Sequence, residues 1–595
     1  MYEKTTYQPL KTSYILIQAC ILGLFFIFVT RFWFLQVYKG EEYAARARQN
    51  TIRLQSIYAP RGLIRDAQGR ILAENEPAYA LAIIREDSGD VLRALEQVSL
   101  WTGRPLEDIL AEYERGRRRV KSFEPQMLVP NLSFELLARI ESEAMFWPEL
   151  KIVTRPRRTY LHGTTMAHIL GYVAQANEQE LNADPGLRLG DNVGKQGIEH
   201  ALEEVLRGSK GLRQVEVDAT GRQHNERILE QPRVGESISL SIDLELQQHI
   251  ADLMQDQAGA VVVMEPLSGQ VVSLVSEPSF NSNIFVEGVG RERWQELLSD
   301  PRHPLQNRAI QSAYPPGSVF KLAMAGCALS SPGFDADETV YCPGQYRLGN
   351  RVFRCWKKQG HGKVDLNAAL VESCDVYFYR LGERLGVDVI SAFATASGFG
   401  LKTGIELPHE RDGLMPDREW KKKRFGVSWQ GGETLNMSIG QGYSLVTPLQ
   451  VARFVSALVN GGDLLRPTLV QGGEPEVVGR LPVNEQVRRF IVDSMVATVE
   501  SERGTARRMR SKEVTIGAKT GTAQVVRLME EFEEKETDEI PYRYRDHAWI
   551  ATFGSNGQGK SYVVVVLIEH GGHGSSAAGP VAKAVYEKLF QQGTD

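Results

Sequence analysis

The sequence predicts a membrane-anchored multidomain protein whose C-terminal part is an α/β domain. Three observations support this: an apolar run near the N-terminus, a length of 595 residues that exceeds what one core holds, and strand-like segments at both ends of a long helical block. Charged residues make up 24% of the chain and the formal net charge is −5. Without a basic surplus, nothing indicates a nucleic-acid partner.

The apolar run covers residues 14–37 and consists of YILIQACILGLFFIFV followed, after a short break, by FWFLQV. A bilayer crossing needs about 20 such residues. A cleaved signal peptide is the alternative, but it has a shorter apolar core and a small-residue cleavage site, and RFWFLQVY offers none. We therefore expect an uncleaved anchor behind a cytoplasmic tail of residues 1–13. Basic residues on both flanks leave its orientation open.

Residues 38–235 are predicted to form a separate α+β domain. The segment APRGLIRDAQGRILAEN predicts short strands and a hairpin, because its alternating apolar residues are interrupted by a DAQG turn. Apolar residues three and four apart predict helices in DVLRALEQV and LEDILAEY. The segment GKQGIEHALEEVLRGSKGLRQVEV predicts a helix and then a strand, and we place the boundary near Gly235.

Residues 236–595 show the α/β pattern. GAVVVMEPLSGQVVSLVS predicts a hairpin, and VTIGAKTGTAQVV, HAWIATFGS and SYVVVVLIEH predict three strands before a final helix. Because these strands flank a helical block, we expect one sheet built from both halves of the domain. The acidic segment MEEFEEKETDEIP is expected to be a mobile loop between two strands.

In AYPPGSVFKLAMA, a serine and a lysine follow two prolines and a glycine. Pro315 and Pro316 end the preceding structure, so Ser318 falls at a helix N-terminus and Lys321 lies one turn later on the same face. A partly desolvated lysine can take the proton of a serine hydroxyl and make it a nucleophile. Taken alone, this motif is weak, because such pairs occur by chance and a helix cap with a surface lysine explains it as well or better.

Two further motifs favour the catalytic interpretation. Ser373-Cys374-Asp375 follows 55 residues after Ser318, and the run KTGT at 519–522 lies on a predicted strand near the end. The three motifs in this order form the signature of penicillin-recognising serine acyltransferases.

Longer segments carry the resemblance across nearly the whole chain. APRGLIRDAQGRILAEN, RTYLHGTTMAHILGYV, GKQGIE, PLQNRAIQSAYPPGSVFK, MSIGQGYSLVTPLQVA and KTGTAQV resemble class B penicillin-binding proteins. Within that class, the aspartate of the second motif and the stretch RCWKKQGHGKVDL resemble the elongation-specific branch, penicillin-binding protein 2. The resemblance implies an anchor, an elongated non-catalytic pedestal, and a transpeptidase domain with an antiparallel sheet beside a helical subdomain.

The resemblance also assigns roles. Ser318 would attack the penultimate D-Ala carbonyl of a stem peptide with Lys321 as base, and Ser373 and Asp375 would complete the proton relay. The backbone N–H groups of Ser318 and Thr522 would form the oxyanion hole.

The third motif would hold the substrate carboxylate through Lys519, Thr520 and Thr522, with Gly521 allowing a close backbone approach. The implied enzyme is a serine-type D-Ala-D-Ala transpeptidase or carboxypeptidase that penicillins acylate. It would work in lateral cell-wall elongation and rod-shape maintenance, and the acyl transfer itself needs no cofactor.

Three alternatives remain open. A division-specific class B protein usually has asparagine where this chain has Asp375. A β-lactamase would need a water-activating group, and Glu433 in GETLN is the nearest candidate. A membrane-bound β-lactam sensor would acylate without crosslinking.

Five cysteines are too few for a disulfide framework. Three of them form, with a histidine, the series Cys342, Cys355, His361 and Cys374, a complete tetrahedral set for zinc. Some relatives of penicillin-binding protein 2 are known to have zinc bound by Asp, Asp, His and Cys at similar positions. We favour a structural zinc, and a Cys342–Cys355 disulfide is the alternative.

The resemblance further implies partners and a location. Expected partners are stem peptides ending in D-Ala-D-Ala, β-lactams, a SEDS-type, RodA-like glycosyltransferase and an MreC-like elongation protein. The expected location is the cell inner membrane, with a single pass and the catalytic domain on the periplasmic side.

Overall fold

The computed structural model describes residues 11–43, 52–118, 120–217, 223–525 and 539–591. Most of the predicted cytoplasmic tail and most of the acidic segment lie outside the described residues. The helix Lys11–Trp33 continues as a π-helix over Phe34–Tyr38. Residues 14–38 include an 18-residue window with a mean hydropathy of 2.2 and are long enough to cross a bilayer, as the sequence predicts.

The helices outside the anchor are mostly short. They are Val91–Thr102, Leu106–Arg117, Phe134–Glu143, Ala167–Leu170, Glu178–Ala183, Gly197–Ala201, Glu203–Arg207, Leu244–Met254, Asn283–Glu287, Arg291–Ser299, Lys321–Leu329, Leu366–Val371, Asp375–Leu385, Val387–Ala396, Arg418–Phe425, Gly431–Ser438, Pro448–Val459, Glu485–Glu500 and Ala578–Gln591.

The strands are numbered in chain order. They are β1 (Ile52–Ile57), β2 (Ile64–Arg65), β3 (Ile71–Ile83), β4 (Gln126–Val129), β5 (Leu150–Tyr160), β6 (Val173–Gln175), β7 (Asn192–Gly194), β8 (Gly211–Val217), β9 (Gln223–Glu230), β10 (Ile238–Ser239), β11 (Gly259–Met264), β12 (Val271–Glu277), β13 (Val340–Cys342), β14 (Gln345–Leu348), β15 (Arg351–Arg354), β16 (Gly362–Val364), β17 (Asp463–Leu465), β18 (Val477–Arg480), β19 (Thr515–Ala523), β20 (His547–Ser555) and β21 (Ser561–Ile568).

The chain forms two compact units, and the first comprises residues 1–59, 78–155 and 209–234. Its strands β1, β8 and β9 form an antiparallel sheet. The predicted helices of residues 89–145 pack around a small core with β4, and side chains of Asp90 and Ser133 cap two of them.

The second unit comprises residues 60–77, 156–208 and 235–595 and is built on a five-stranded antiparallel sheet in the order β12-β11-β21-β20-β19. Strands β11 and β12 come from the start of the domain and the others from its end, which confirms the predicted sheet from both halves. Valine-rich β11 and β21 are buried on both faces, and each face belongs to a separate hydrophobic cluster. The helix Pro448–Val459 covers one face, and Leu244–Met254 and Ala578–Gln591 cover the other.

This contact-based partition cuts the chain at more places than the division at residue 235 that the sequence predicts, and that division stays a prediction. A boundary does fall there, but residues 60–77 and 156–208, assigned by the sequence to the first domain, belong to the second unit. Backbone hydrogen bonds explain part of this, because the N–H groups of Ile238 and Leu240 donate to carbonyl oxygens of Leu63 and Arg65.

A buried ion-pair network connects the two inserted segments. Glu199 is fully buried and binds Arg61 at 2.7 Å and Arg158 at 2.6 Å. Charges this deeply buried are stable only when paired. Local patterning did not reveal this long-range pairing.

Candidate active site

The predicted nucleophile lies on a tight turn that two other segments contact. Ser318 is the second residue of a 3₁₀ turn over Gly317–Phe320. Gly317 has a φ of +53°, and a Cβ there would lie 2.6 Å from the carbonyl oxygen of Thr522, so the approach requires glycine. The N–H of Gly317 donates to the carbonyl oxygen of Gly440 at 2.9 Å.

Lys321 and Lys519 meet at the second motif, and both are fully buried. Lys321 Nζ donates to Asp375 Oδ1 at 2.6 Å and to Ser373 O and Oγ at 2.9 and 3.2 Å. Lys519 Nζ donates to the same Ser373 Oγ at 2.9 Å. Four of the five predicted catalytic side chains therefore form one hydrogen-bonded cluster with Ser373 at its centre.

Burial sets the electrostatics of this cluster. Desolvation, with the charge of Lys321 second, holds the pKa of Lys519 well below its ordinary value. Desolvation also raises the pKa of Asp375, although the attraction of Lys321 acts in the opposite direction. A buried lysine that gives up its proton easily suits a site in which protons are accepted and returned.

The Ser318 hydroxyl itself stands apart from this cluster. The residue is half-buried, and within the described part of the chain its side chain makes no hydrogen bond. Catalytic hydrogen bonds often shorten only when substrate is bound. The hydroxyl is therefore available to form its hydrogen bond with the base when substrate binds.

The third motif lies on β19, the last strand of the sheet, which among the described residues pairs with β20 alone. Its outer edge therefore presents backbone groups with which an extended peptide can pair. Thr520 Oγ1 donates to Thr505 Oγ1 at 2.9 Å, and Gln441 Nε2 donates to Thr522 O at 3.1 Å. Gly521 packs against the serine turn, with its Cβ position 3.2 Å from Pro316 O.

Glu433, the candidate water-activating group of a β-lactamase, is engaged elsewhere. Its carboxylate binds Lys421 Nζ at 2.5 Å and accepts from the N–H of Gln430 as part of a capping box. Its role in this structure is to cap the helix Gly431–Ser438.

The four predicted zinc ligands form one buried cluster. The ligand atoms of Cys342, Cys355, His361 and Cys374 all lie within 4.8 Å of one another. His361 Nδ1 is 3.6 Å from Cys342 Sγ and 3.5 Å from Cys355 Sγ. Tetrahedral zinc, with Zn–S about 2.3 Å and Zn–N about 2.05 Å, separates sulfur from nitrogen by about 3.6 Å. Donor types and spacing therefore fit zinc.

The sulfur atoms carry further information about this cluster. All three cysteines are free thiols and none forms a disulfide. A hydrogen bond from Cys374, with a second from His361, lowers the pKa of the Cys355 thiol. The cluster thus favours a thiolate, the form that binds metals.

Trp356 connects the cysteine cluster to the carboxylate of Asp375, a predicted catalytic residue. It follows Cys355, and its backbone N–H donates to Asp375 Oδ2 at 2.9 Å. Its indole N–H donates to the carbonyl oxygens of Glu372 and Ser373, both at 3.1 Å. Through Trp356, the cysteine cluster is therefore hydrogen-bonded to the backbone and the carboxylate of the second motif.

Sequence reasoning missed three residues of this site: Trp356, Gly440 and Gln441. The signal for the last two was their position in MSIGQGYSLVTPLQVA, a segment quoted only for its resemblance. For Trp356 the signal was adjacency to a predicted zinc ligand.

Comparison with known proteins agrees with this geometry. Residues 259–589 match the family described as penicillin binding protein transpeptidase domain, and residues 56–240 match the penicillin-binding protein dimerisation domain. Peptidoglycan D,D-transpeptidase MrdA of Haemophilus influenzae is 35% identical over 96% of this chain and 90% of its own length.

Two solved structures are similar over most of the chain. The complex between penicillin-binding protein 2 and MreC from Helicobacter pylori has a TM-score of 0.81 at 29% identity, covering 91% of this chain and 99% of that one. A structure described as the structural coordination of polymerization and crosslinking by a peptidoglycan synthase complex has a TM-score of 0.70 at 29% identity, covering 97% and 98%. The chain belongs to the class B penicillin-binding proteins, in the branch of penicillin-binding protein 2.

Proposed function

We propose that the chain is the elongation-specific peptidoglycan D,D-transpeptidase, which crosslinks stem peptides through an acyl-enzyme on Ser318. The observation that carries this proposal is the buried cluster in which Lys321 and Lys519 both contact Ser373 Oγ, beside the serine turn. The aspartate at position 375, which binds Lys321, is the residue that favours the elongation branch over the division-specific one.

The reaction begins when Ser318 Oγ attacks the carbonyl carbon of the penultimate D-Ala and its proton passes to Lys321. The C–N bond to the terminal D-Ala then breaks, and the departing amine receives a proton through Ser373. An amine of a neighbouring stem peptide attacks the acyl-enzyme, forms the crosslink and releases Ser318. Attack by water instead gives the carboxypeptidase reaction, and penicillins stop at the acyl-enzyme.

Two sets of groups orient the donor peptide. The N–H groups of Ser318 and Thr522 stabilise the oxyanion, since the serine turn and β19 are in contact. The terminal carboxylate is attracted by Lys519 and by the hydroxyl of Thr522, and the Thr520 hydroxyl would join them by leaving Thr505 Oγ1. Lys519 is fully buried and acts on Ser373 by its hydrogen bond, and in its protonated form its charge attracts the carboxylate.

This substrate lies outside the cytoplasm, so the anchor would be a single pass in the inner membrane with the catalytic domain on the periplasmic side. The Helicobacter pylori relative is seen with MreC, and another similar structure concerns a peptidoglycan synthase complex. We accordingly assign an MreC-like activator and a SEDS-type, RodA-like glycosyltransferase as partners.

Two measurements on the purified full chain test the function. A fluorescent penicillin should label the wild type and fail to label Ser318→Ala. Crosslinking of lipid-linked substrate with a glycosyltransferase partner should depend on the same serine. Labelling without crosslinking would favour a sensor, and rapid turnover of penicillin would favour a β-lactamase.

The cysteine cluster is assigned a structural zinc. Cys342, Cys355, His361 and Cys374 would hold it, and four protein ligands leave no open position for catalysis. When bound, the ion would tie the loop 342–361 to the second motif, and no step of acyl transfer uses it. Elemental analysis should find one zinc per chain in the wild type and less in His361→Ala, which should also unfold at a lower temperature. Absence of zinc, or a Cys342–Cys355 disulfide by mass spectrometry, would contradict the assignment.

A further inference from the structure

An aromatic cluster centred on Tyr443 lies at the surface of the catalytic unit. The Tyr443 ring is 5.2 Å from Trp420, 5.6 Å from Phe425 and 6.4 Å from Trp429. Phe425 is 50% exposed and the neighbouring Val427 is 52% exposed. A cluster that only completed the core would bury these side chains, so an exposed apolar surface indicates an interaction site.

The same segment is strongly basic. The helix Arg418–Phe425, with sequence REWKKKRF, has five basic residues and one acidic residue in a chain whose net charge is −5. Lys421 is buried against Glu433, which fixes the helix. By contrast, Lys422, Lys423 and Arg424 are exposed and form no ion pair with any residue that the structure describes.

These charges border the aromatic rings. Lys423 and Arg424 follow Trp420 by three and four residues, and Lys422 precedes Phe425 by three, which places them beside those rings on the helix. We call this surface the aromatic–basic platform. It comprises Trp420, Lys422, Lys423, Arg424, Phe425, Trp429 and Tyr443.

The platform adjoins the active site through a short, well-held segment. Gly440 accepts a hydrogen bond from Gly317 of the serine turn, and Gln441 donates to Thr522. Tyr443 is three residues from Gly440, so its Cα lies at most about 11 Å from that contact. A molecule seated on the platform is therefore within reach of the cleft.

We infer that the platform binds the saccharide and stem-peptide carboxylates of an uncrosslinked peptidoglycan strand, beyond the dipeptide that reacts with Ser318. This inference rests on the proposed function. Flat aromatic rings stack on the apolar faces of sugar rings, and unpaired ammonium and guanidinium groups attract carboxylates. A peptidoglycan strand offers both chemistries in one polymer, and the platform offers the complement of both.

Charge reversal tests the basic part. The full chain in detergent micelles is titrated into fluorescein-labelled, uncrosslinked glycan strands bearing pentapeptides, and anisotropy gives Kd. The double variant Lys422→Glu/Lys423→Glu should bind strands at least about tenfold more weakly and with less dependence on salt. The control Lys512→Glu/Lys560→Glu changes the net charge equally at exposed positions outside the platform, and should stay within threefold of the wild type.

An aromatic substitution tests the stacking part independently. Phe425→Ala should weaken strand binding about fivefold at high salt, where charges are screened, and Phe425→Tyr should restore it. Each variant is also reacted with a fluorescent penicillin, which is too small to span the platform and reports a folded catalytic site. In Lys422→Glu/Lys423→Glu and in Phe425→Ala, binding of glycan strands should fall several-fold more than penicillin acylation, and in Phe425→Tyr neither should fall.

Four results would overturn the inference. The first is an equal loss of glycan-strand binding in Lys422→Glu/Lys423→Glu and in the control Lys512→Glu/Lys560→Glu. The second is a loss of glycan-strand binding in Phe425→Tyr that is as large as the loss in Phe425→Ala. A third is strand binding and penicillin acylation falling together. The fourth is unchanged strand binding with weaker binding to phosphatidylglycerol vesicles, which would assign the platform to the membrane. If wild-type protein bound strands but Ser318 were never acylated, the proposed function would fail and the platform would stand.

Discussion

Gly440→Ala should lower the rate of acylation far more than the same substitution at Gly442, two residues away. In the structure, a Cβ on Gly440 would lie 2.1 Å from the carbonyl oxygen of Gly317 and 2.8 Å from Phe320 Cβ. Real Cβ atoms essentially never approach another atom within 3.0 Å, so the serine turn or its neighbour must move by about 0.9 Å.

The size of the effect follows from this displacement. A shift of about 1 Å in a reacting group costs on the order of a hundredfold in rate, which corresponds to about 2.7 kcal/mol in the activation barrier. Gly440 also has a φ of +73°, and a side chain in that left-handed conformation costs about 1 kcal/mol of stability.

Gly442→Ala is the matched control. Gly442 has a φ of +77°, so alanine there has the same conformational cost, yet its Cβ would meet nothing closer than Asn436 Cβ at 3.6 Å. We expect both variants to lose about 1 kcal/mol of unfolding free energy from backbone strain. Only Gly440→Ala should lose about a hundredfold in the acylation rate.

The assay is the second-order rate of labelling by a fluorescent penicillin, measured by rapid quench, alongside the unfolding temperature. If the two variants acylate within threefold of each other, the contact between Gly440 and the serine turn does not position the nucleophile. In that case the reasoning about this turn is wrong.

Three other predictions concern buried polar groups. Glu199→Gln should lower the unfolding free energy by about 3–5 kcal/mol in urea titrations, because Arg158 then loses the carboxylate that it binds and Arg61 is left with Glu203. A loss below 1 kcal/mol would contradict this. Since the pKa of Lys519 is depressed in the folded state, the unfolded chain binds more protons just below pH 10.5, and stability should rise with pH there. Between pH 9 and 10 the wild type should gain up to about 1.4 kcal/mol relative to Lys519→Met, and equal slopes would exclude a depressed pKa. Trp356→Phe keeps an aromatic ring but removes the indole N–H that donates to two carbonyl oxygens at 3.1 Å. Acylation should slow about fivefold, which corresponds to about 1 kcal/mol in the activation barrier. An unchanged rate would show that these hydrogen bonds do not support the site.

The fold was predictable where local pattern determines it. The hairpin β11–β12, the strands β19, β20 and β21, and the helices of residues 89–145 all follow from periodicity. The grouping of residues 60–77 with 156–208 was not, because it includes the pairing of Glu199 with Arg61 and Arg158, which lie 138 and 41 residues away in the chain. Spacing alone carries no information about such pairs.

In the candidate site, too, the sequence predicted the residues of short motifs but not those placed by long-range contacts. Short motifs predicted Ser318, Lys321, Ser373, Asp375 and the strand KTGT, because each proposed catalytic role restricts the residue type, and the structure brings Lys321, Ser373, Asp375 and Lys519 together. Trp356 and Gln441 act through a backbone N–H, an indole N–H and an amide placed by tertiary contact. Many residue types could fill such roles at other positions, so composition and spacing do not single them out.

The backbone at Ser373 explains why a cysteine stands between two catalytic side chains. Ser373 has a φ of +55°, a left-handed conformation that costs a non-glycine residue about 1–2 kcal/mol. In this conformation both its carbonyl and its hydroxyl face Lys321. The next side chain, Cys374, is fully buried in the cysteine cluster, and Trp356 donates to the Ser373 carbonyl from the same side. A strained residue persists only when its surroundings hold it on several sides. The cluster therefore lies where it holds Ser373 in a conformation that reaches both lysines, and through this geometry we expect it to affect acylation.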